Sequence, residues 1–221
     1  MKNCNAPNGQ ITRRILPSAC ATALAVAFTI TLAQPAQAYE IRPPRVPADI
    51  EVPPGNEVFL VGHGVGTQNY VCLPSATSPS GFAFTLFTPE ATLFNGPKQV
   101  TTHFFSANNN PDERSDKGMI RATWQHSRDT SAVWAKLFKP ASSDPNFVAQ
   151  GAIPWLLLQR VGAQEGPGGG DTLTATSFIQ RVNTHGGSAP SSGCAALADV
   201  GKTAFVPYTA DYFFYTDPNA Q

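Results

Sequence analysis

Short runs of alternating apolar and polar residues, separated by clusters of turn-forming residues, fill the chain after its first quarter. The runs are rich in Val, Phe, Thr and Tyr, which favour strands. In the run 172–183, Ile179 and Arg181 share one face, whereas Phe178 and Val182 share the other. Neither face is wholly polar, so we expect this strand to be covered on both sides. The predicted strands are 57–62, 69–73, 82–88, 99–105, 120–125, 132–138, 155–161, 172–183 and 203–215.

No segment keeps a helical period beyond about two turns. Many short strands with frequent turns are typical of a β-sandwich or a barrel. We predict an all-β, single-domain, jelly-roll-like β-sandwich with long polar loops over residues 57–221. Residues 39–56 contain five prolines. They predict an extended lead-in that lies along the domain or links it to the leader.

Residues 1–38 have the three parts of a secretory signal peptide. A front with three basic residues precedes a 13-residue apolar stretch, and Ala36 and Ala38 then supply the small residues of a cleavage site. The apolar stretch is shorter than the roughly 20 residues that span a bilayer. We therefore predict cleavage after Ala38, export to the periplasm or the medium, and no stable membrane insertion afterwards.

The charge balance excludes one class of partner. The whole chain has 15 basic and 15 acidic residues, and removal of residues 1–38 leaves 12 basic against 15 acidic, a net charge of −3. Phosphate binding needs clustered basic residues, so we predict no nucleic-acid partner. The hydrophobic share of 42% and the charged share of 14% argue against intrinsic disorder. The sequence predicts no particular oligomeric state.

Two of the four cysteines, Cys72 and Cys194, remain after the predicted cleavage. An even count in an exported protein favours a disulfide, which would close a loop of about 120 residues. Two separate buried thiols are the alternative. A catalytic thiol is disfavoured because a free thiolate is readily oxidised in an oxidising compartment.

One glycine-rich stretch invites a cofactor interpretation. Residues 62–66 (GHGVG) follow a predicted strand, but their third glycine stands one position too early for the dinucleotide motif. A further strand is predicted after them, where the phosphate would need a helix N-terminus. We interpret the stretch as a turn between two strands and predict no cofactor.

The histidines and serines do not form a known catalytic or metal motif. None of the four histidines stands in an H-x-H or H-E-x-x-H spacing, so we predict no metal site. The chain also lacks the G-x-S-x-G motif of serine hydrolases. The histidines are His63, His103, His126 and His185.

Several longer motifs resemble one family. They are TWQ at 123–125, AIPWLLL at 152–158, IQRVNT at 179–184 and PYTADYFFY at 207–215, with YVC at 70–72 and HF at 103–104. Together they resemble the DUF3455 family of secreted bacterial and fungal proteins, over about residues 48–216. The resemblance implies a secreted, mostly β domain and transfers no catalytic residue. Residues 106–118 depart from the family pattern and predict a long exposed loop.

Four residues are candidates for ligand binding. His103 alone among the histidines matches the family pattern, and its neutral ring can bind a ligand or accept a proton. A purely structural histidine is the alternative. Trp124 precedes a polar turn, so we expect it to be partly exposed, where its face can stack on a sugar ring. His126 and Asp129 lie beside it in sequence. By contrast, we expect Trp155 to be buried.

These features favour a non-catalytic extracytoplasmic domain that binds a cell-envelope ligand, such as a glycan. A hydrolase that uses His103 with Asp129 or Asp211 is one alternative, and a structural envelope protein is another. An enzyme requires His103 within hydrogen-bond reach of an acid or hydroxyl in a concave pocket. A glycan-binding domain requires solvent-facing aromatic rings in a shallow groove.

Overall fold

The computed structural model of the chain describes residues 41–106 and 119–219. Its described residues form eight strands and two short 3-10 helices, Ala48–Ile50 and Leu197–Asp199. Each strand is antiparallel to its sequence neighbours, and the eighth returns to the first to close a barrel. The strands are β1 (Glu57–Pro74), β2 (Phe82–Asn95), β3 (Lys98–Phe105), β4 (Ala122–His126), β5 (Ala132–Leu137), β6 (Leu156–Gln164), β7 (Thr176–Gly186) and β8 (Thr203–Thr216).

The all-β class is confirmed, but the predicted jelly-roll-like β-sandwich is wrong. β1 pairs along one side with β2 and along the other with β8, from Glu57 opposite Thr216 to Val71 opposite Thr203. This closure leaves neither strand with a free edge. The strand order follows the sequence without the crossovers of a jelly roll. Alternating strands and turns suit both architectures, so the pattern alone did not reveal the closure.

Strand β1 has 18 residues because the predicted glycine turn at 62–66 is part of the strand. Gly62 and Gly64 are two apart and share one face. A Cβ atom on Gly62 would lie 2.8 Å from Cβ of Leu93, and one on Gly64 would lie 2.9 Å from Cε2 of Tyr212. Both neighbours belong to the core inside the barrel. The glycines therefore make room for large side chains from other strands.

A second apolar layer covers part of the outer surface of the barrel. Ile50 of the lead-in is fully buried in a cluster with Trp155 and Phe178. Gln180 Nε2 also donates a hydrogen bond of 2.8 Å to the carbonyl oxygen of Ile50. The described lead-in thus lies along the domain, and β7 is covered on both faces as predicted. The expected burial of Trp155 is likewise confirmed.

Cys72 of β1 and Cys194, in the segment before β8, form the predicted disulfide, with their Cα atoms 5.5 Å apart. Residues Tyr39–Gln221 belong to one compact unit. The predicted signal peptide lies outside the described residues, as does the predicted exposed loop from residue 107 onwards. Among the described residues, no helix has the length and apolarity needed to cross a membrane.

Candidate functional site

A cavity of about 590 Å³ lies at the end of the barrel where β3 ends and β4 begins. Its volume falls in the range of small-molecule sites, and eight-stranded barrels can enclose one small ligand. Its apolar lining comes from Leu86, Pro89, Phe105, Ile120, Ala122, Trp124, Ala135, Leu137, Ile153, Pro154, Leu156 and Leu158. Its polar lining comes from Gln68, Tyr70, His103, Arg121, Lys136, Arg181 and Tyr212.

His103 is buried against the cavity wall and is paired with Trp124 across β3 and β4. Its Nδ1 lies 2.9 Å from the carbonyl oxygen of Thr123. A carbonyl oxygen only accepts, so this contact places the ring proton on Nδ1. Burial lowers the pKa of His103 to about 3, the Thr123 hydrogen bond opposes that shift, and the positive charge of Arg181 adds to it. His103 is therefore a neutral ring near neutral pH.

Trp124 lines the cavity but is only 1% exposed, so the prediction of partial exposure is wrong. The alternation of β4 decides its orientation, because Trp124 packs in the inner core while its neighbour Gln125 is exposed. The polar turn that follows does not change that orientation. Its ring also contacts Tyr212 edge-on, with the centroids 5.8 Å apart.

His126 is the last residue of β4, and it pairs with Asp129 in the turn that follows, with Nδ1 and Oδ1 2.8 Å apart. The Asp129 carboxylate also accepts hydrogen bonds from Ser131 and Thr172. Partial burial opposes ionisation, but these hydrogen bonds outweigh it and hold the pKa of Asp129 well below its usual range. Asp129 thus joins the β4–β5 turn to the segment before β7. A ligand-binding role for the pair stays a prediction.

The arrangement required for the hydrolase hypothesis does not occur among the described residues. Asp211 Oδ1 lies 2.6 Å from Nδ1 of His63, and its Oδ2 accepts a hydrogen bond from Asn183. Asp129 is bonded to His126, so neither candidate acid contacts His103. No group of three or more His, Cys, Asp or Glu side chains in 41–106 and 119–219 is arranged to hold a metal ion.

Sequence reasoning missed Arg181, which lies on the inner face of β7 and is only 8% exposed. Its Nη2 donates a hydrogen bond of 2.8 Å to the carbonyl oxygen of Pro154. No carboxylate of the described residues forms an ion pair with its guanidinium. The sequence pattern does indicate an inward position for Arg181, because the alternation of β7 places it on the same strand face as Ile179, which is fully buried.

Three side chains of the cavity wall carry buried N–H groups with no acceptor in the described part of the chain. They are Nε of Arg181, Nε2 of Gln68 and Nε1 of Trp124. Buried donors are normally paired, and each unpaired one has a cost of about 1–3 kcal/mol. The other described buried polar atoms without a partner, Oγ1 of Thr101 and Thr176 and Nε1 of Trp134 and Trp155, belong to residues outside the cavity lining.

The two tyrosines of the cavity wall, Tyr70 and Tyr212, have protein partners, and Tyr208 is the partner of Tyr212. The Tyr70 hydroxyl donates a hydrogen bond of 2.6 Å to the carbonyl oxygen of Gly187, and the hydroxyls of Tyr208 and Tyr212 lie 3.0 Å apart. Burial raises the pKa of all three phenols, although Arg181 partly offsets that effect. All three therefore stay neutral near neutral pH, so Tyr70 and Tyr212 add no negative charge to the wall.

The family resemblance is confirmed over most of the chain. Residues 53–216 match DUF3455, which is described as a protein of unknown function. No curated protein and no solved structure matches this chain. Because the match covers residues 53–216, which is well over half of the chain, the chain belongs to the DUF3455 family.

Proposed function

We propose that this domain is a non-catalytic binding protein that holds one small, largely apolar molecule inside the barrel. The observation that carries the proposal is the cavity of about 590 Å³, whose wall is mostly aliphatic and aromatic. Burial of apolar ligand surface contributes roughly 25 cal/mol per Å² before the costs of association are subtracted. A cavity of this kind supports retention of a ligand without any chemical step.

The chemistry of the wall supports binding over catalysis. His103 is its one histidine, and its Nδ1 is held by a backbone carbonyl. Neither Asp nor Glu occurs among the described lining residues, so no carboxylate there can act as a general base. The apolar wall and the neutral imidazole instead favour a site that selects ligands by shape and polarity.

The glycan or envelope ligand stays a narrower form of this proposal. All three tryptophans, Trp124, Trp134 and Trp155, are at most 4% exposed, whereas a shallow glycan groove needs an accessible ring face. The cavity therefore favours a ligand with a large apolar portion over a simple sugar. Export is also part of the proposal, and a disulfide supports it because such bonds persist in oxidising compartments.

The experiment is a titration of the exported protein, purified without refolding, with the neutral fluorescent dye Nile red. The dye should show a saturable blue shift with a stoichiometry of one per chain. Ala122→Trp adds a large ring to the cavity wall and should abolish this signal. The matched control is Gln125→Trp, which adds the same ring at an exposed position of the same strand and should leave binding unchanged.

The result that would overturn the proposal is a lack of saturable binding, or equal binding by Ala122→Trp and the wild type. Thermal unfolding of both tryptophan variants verifies that each retains the barrel. A native mass spectrum of the same preparation adds a second readout, because a molecule carried through purification would appear as retained mass and should be absent from Ala122→Trp.

A further inference from the structure

We infer that the molecule held in the cavity is an anion with an apolar body, and that Arg181 pairs with its carboxylate. The inference rests on the proposed function, because it concerns the ligand of the same cavity. It goes further by assigning the charge of the ligand and the side chain that recognises it. The class of ligand is therefore an amphipathic carboxylic acid.

The burial of the Arg181 side chain is the first reason to expect an anionic ligand. A guanidinium stays protonated in proteins, and an unpaired buried charge is strongly unfavourable. Arg181 is only 8% exposed, and its side chain is hydrogen-bonded to neutral groups, the carbonyl of Pro154 and the hydroxyl of Tyr212. No acidic side chain of the described residues pairs with it. A carboxylate in the cavity would supply the counter-charge that no described residue supplies.

The charge state of the other lining residues is the second reason to expect an anionic ligand. Lys136, an exposed cationic side chain, also lines the cavity. His103 and the lining tyrosines are neutral near neutral pH, and no described lining residue is acidic. The charge that the described lining residues contribute is therefore positive, which favours an anion over a cationic ligand.

The hydrogen-bond donors of the wall are the third reason, and they favour a carboxylate. Arginine offers planar paired N–H groups that match the two oxygens of a carboxylate, and its Nε is without an acceptor. Nε2 of Gln68 is a further unsatisfied donor in the same wall. On the apolar side, Leu156 and Leu158 line the cavity together with Ile153. A ligand whose head group only accepts hydrogen bonds matches the unpaired donors. An aliphatic or aromatic body on the same ligand matches the apolar side chains of the wall.

The test compares decanoate with decanol as competitors for bound Nile red near neutral pH. The two molecules have the same alkyl length and differ in the charge of the head group. The wild type should prefer decanoate by roughly tenfold, as expected for one charge-assisted hydrogen-bonded pair. Arg181→Met should remove most of this preference. The control Arg160→Met, which removes the same charge from an exposed position outside the cavity, should retain it.

The outcomes separate the inference from the proposed function. Equal displacement of the dye by decanoate and decanol in the wild type would overturn the anion but leave the cavity as a binding site. Absence of dye binding would overturn both. If Arg181→Met does not fold, Arg181→Lys replaces it in the test. Lysine keeps the positive charge but lacks the planar paired N–H groups of the guanidinium. Its preference should fall below that of the wild type, and an unchanged preference would contradict the pairing.

Discussion

His103 and Trp124 stack face to face across β3 and β4, with ring centroids 4.2 Å apart and planes 8° apart. The pair forms part of the cavity wall. The ring of Tyr212 packs beside the pair, with its centroid 5.3 Å from that of His103. A proton added to the imidazole would create a buried cation in the field of Arg181, without an acid of the described residues to compensate. We therefore expect the barrel to lose stability in acid.

We predict that the free energy of unfolding falls as the pH is lowered, and that His103 contributes to the fall. The pKa of His103 is about 3 in the folded protein and close to 6.5 in the unfolded chain. Between these values the unfolded state binds the extra proton, so stability is lost as the pH falls from about 6.5 towards 3. One proton contributes at most roughly 1.4 kcal/mol per pH unit.

The measurement is urea denaturation of the wild type and His103→Asn between about pH 4.5 and 6.5, the upper part of this window. Asparagine is not titratable and retains an N–H donor for the Thr123 carbonyl. The variant should be less stable near neutral pH because it loses the ring contacts, but its stability should depend less on pH. Parallel pH profiles for the two proteins would rule out the assigned role of His103.

A second prediction concerns Gly66, where β1 approaches β2 most closely among the three glycines of the 62–66 stretch. A Cβ atom there would lie 2.0 Å from the backbone oxygen of Glu90, which cannot rotate away as a side chain can. Gly66→Ala should therefore destabilise the barrel by roughly 1–3 kcal/mol or prevent its closure. Thermal unfolding and far-ultraviolet circular dichroism measure both outcomes.

The control for this substitution is Gly168→Ala in the loop between β6 and β7. No atom lies within 4 Å of a Cβ placed there, and its backbone does not adopt a positive φ. The change should be neutral or stabilising by a few tenths of a kcal/mol. Comparable losses at Gly66 and Gly168 would show that the approach of β1 to β2 is not what requires glycine.

The positions of most strands could be predicted because side-chain alternation and turn chemistry are local. The glycines of β1 show where this locality fails. Gly64 looks like a turn residue in sequence, yet its role depends on Tyr212, which lies 148 positions further along the chain. Closure of the barrel depends on the same long-range packing. For that reason the pattern did not separate a barrel from a sandwich.

The candidate site could be predicted only in part. His103 and Trp124 do line one cavity, whereas His126, at the end of β4, and Asp129, in the turn after it, do not. Because Trp124, His126 and Asp129 are close in sequence, we expected them to form one site. The strand instead runs from Trp124 away from the cavity, so His126 and Asp129 lie outside it. Arg181 was visible as a charge on an apolar strand face, but its neighbours come from other strands and cannot be read from local spacing.

A third prediction concerns the Asp129 carboxylate, which receives hydrogen bonds from both backbone and side chain of Ser131 and Thr172. Asp129→Asn replaces one acceptor oxygen by a donor and should reduce the free energy of unfolding by roughly 1–3 kcal/mol. Because the folded pKa of Asp129 is depressed, its contribution is present above the unfolded pKa and is lost as the pH falls below it. The variant should therefore differ least from the wild type in strong acid.

The control for this variant is Asp171→Asn, which makes the same chemical change at an exposed neighbour of Thr172. Urea denaturation near neutral pH should show little change for the control. Dye binding in the cavity should survive in both variants, because Asp129 is not part of the cavity wall. A loss of dye binding by folded Asp129→Asn would instead place His126 and Asp129 in the ligand site.

The last prediction concerns the bond between Cys72 and Cys194, which joins positions 122 residues apart. Such a cross-link restricts the unfolded chain, and its removal should lower the free energy of unfolding by roughly 2–5 kcal/mol. Oxidised wild type should be compared with the reduced wild type and with Cys72→Ala/Cys194→Ala. Reduction leaves both thiols in place, so it separates the cross-link from the packing of Cys72, which is fully buried. If all three forms unfold at the same urea concentration, the disulfide does not stabilise the barrel.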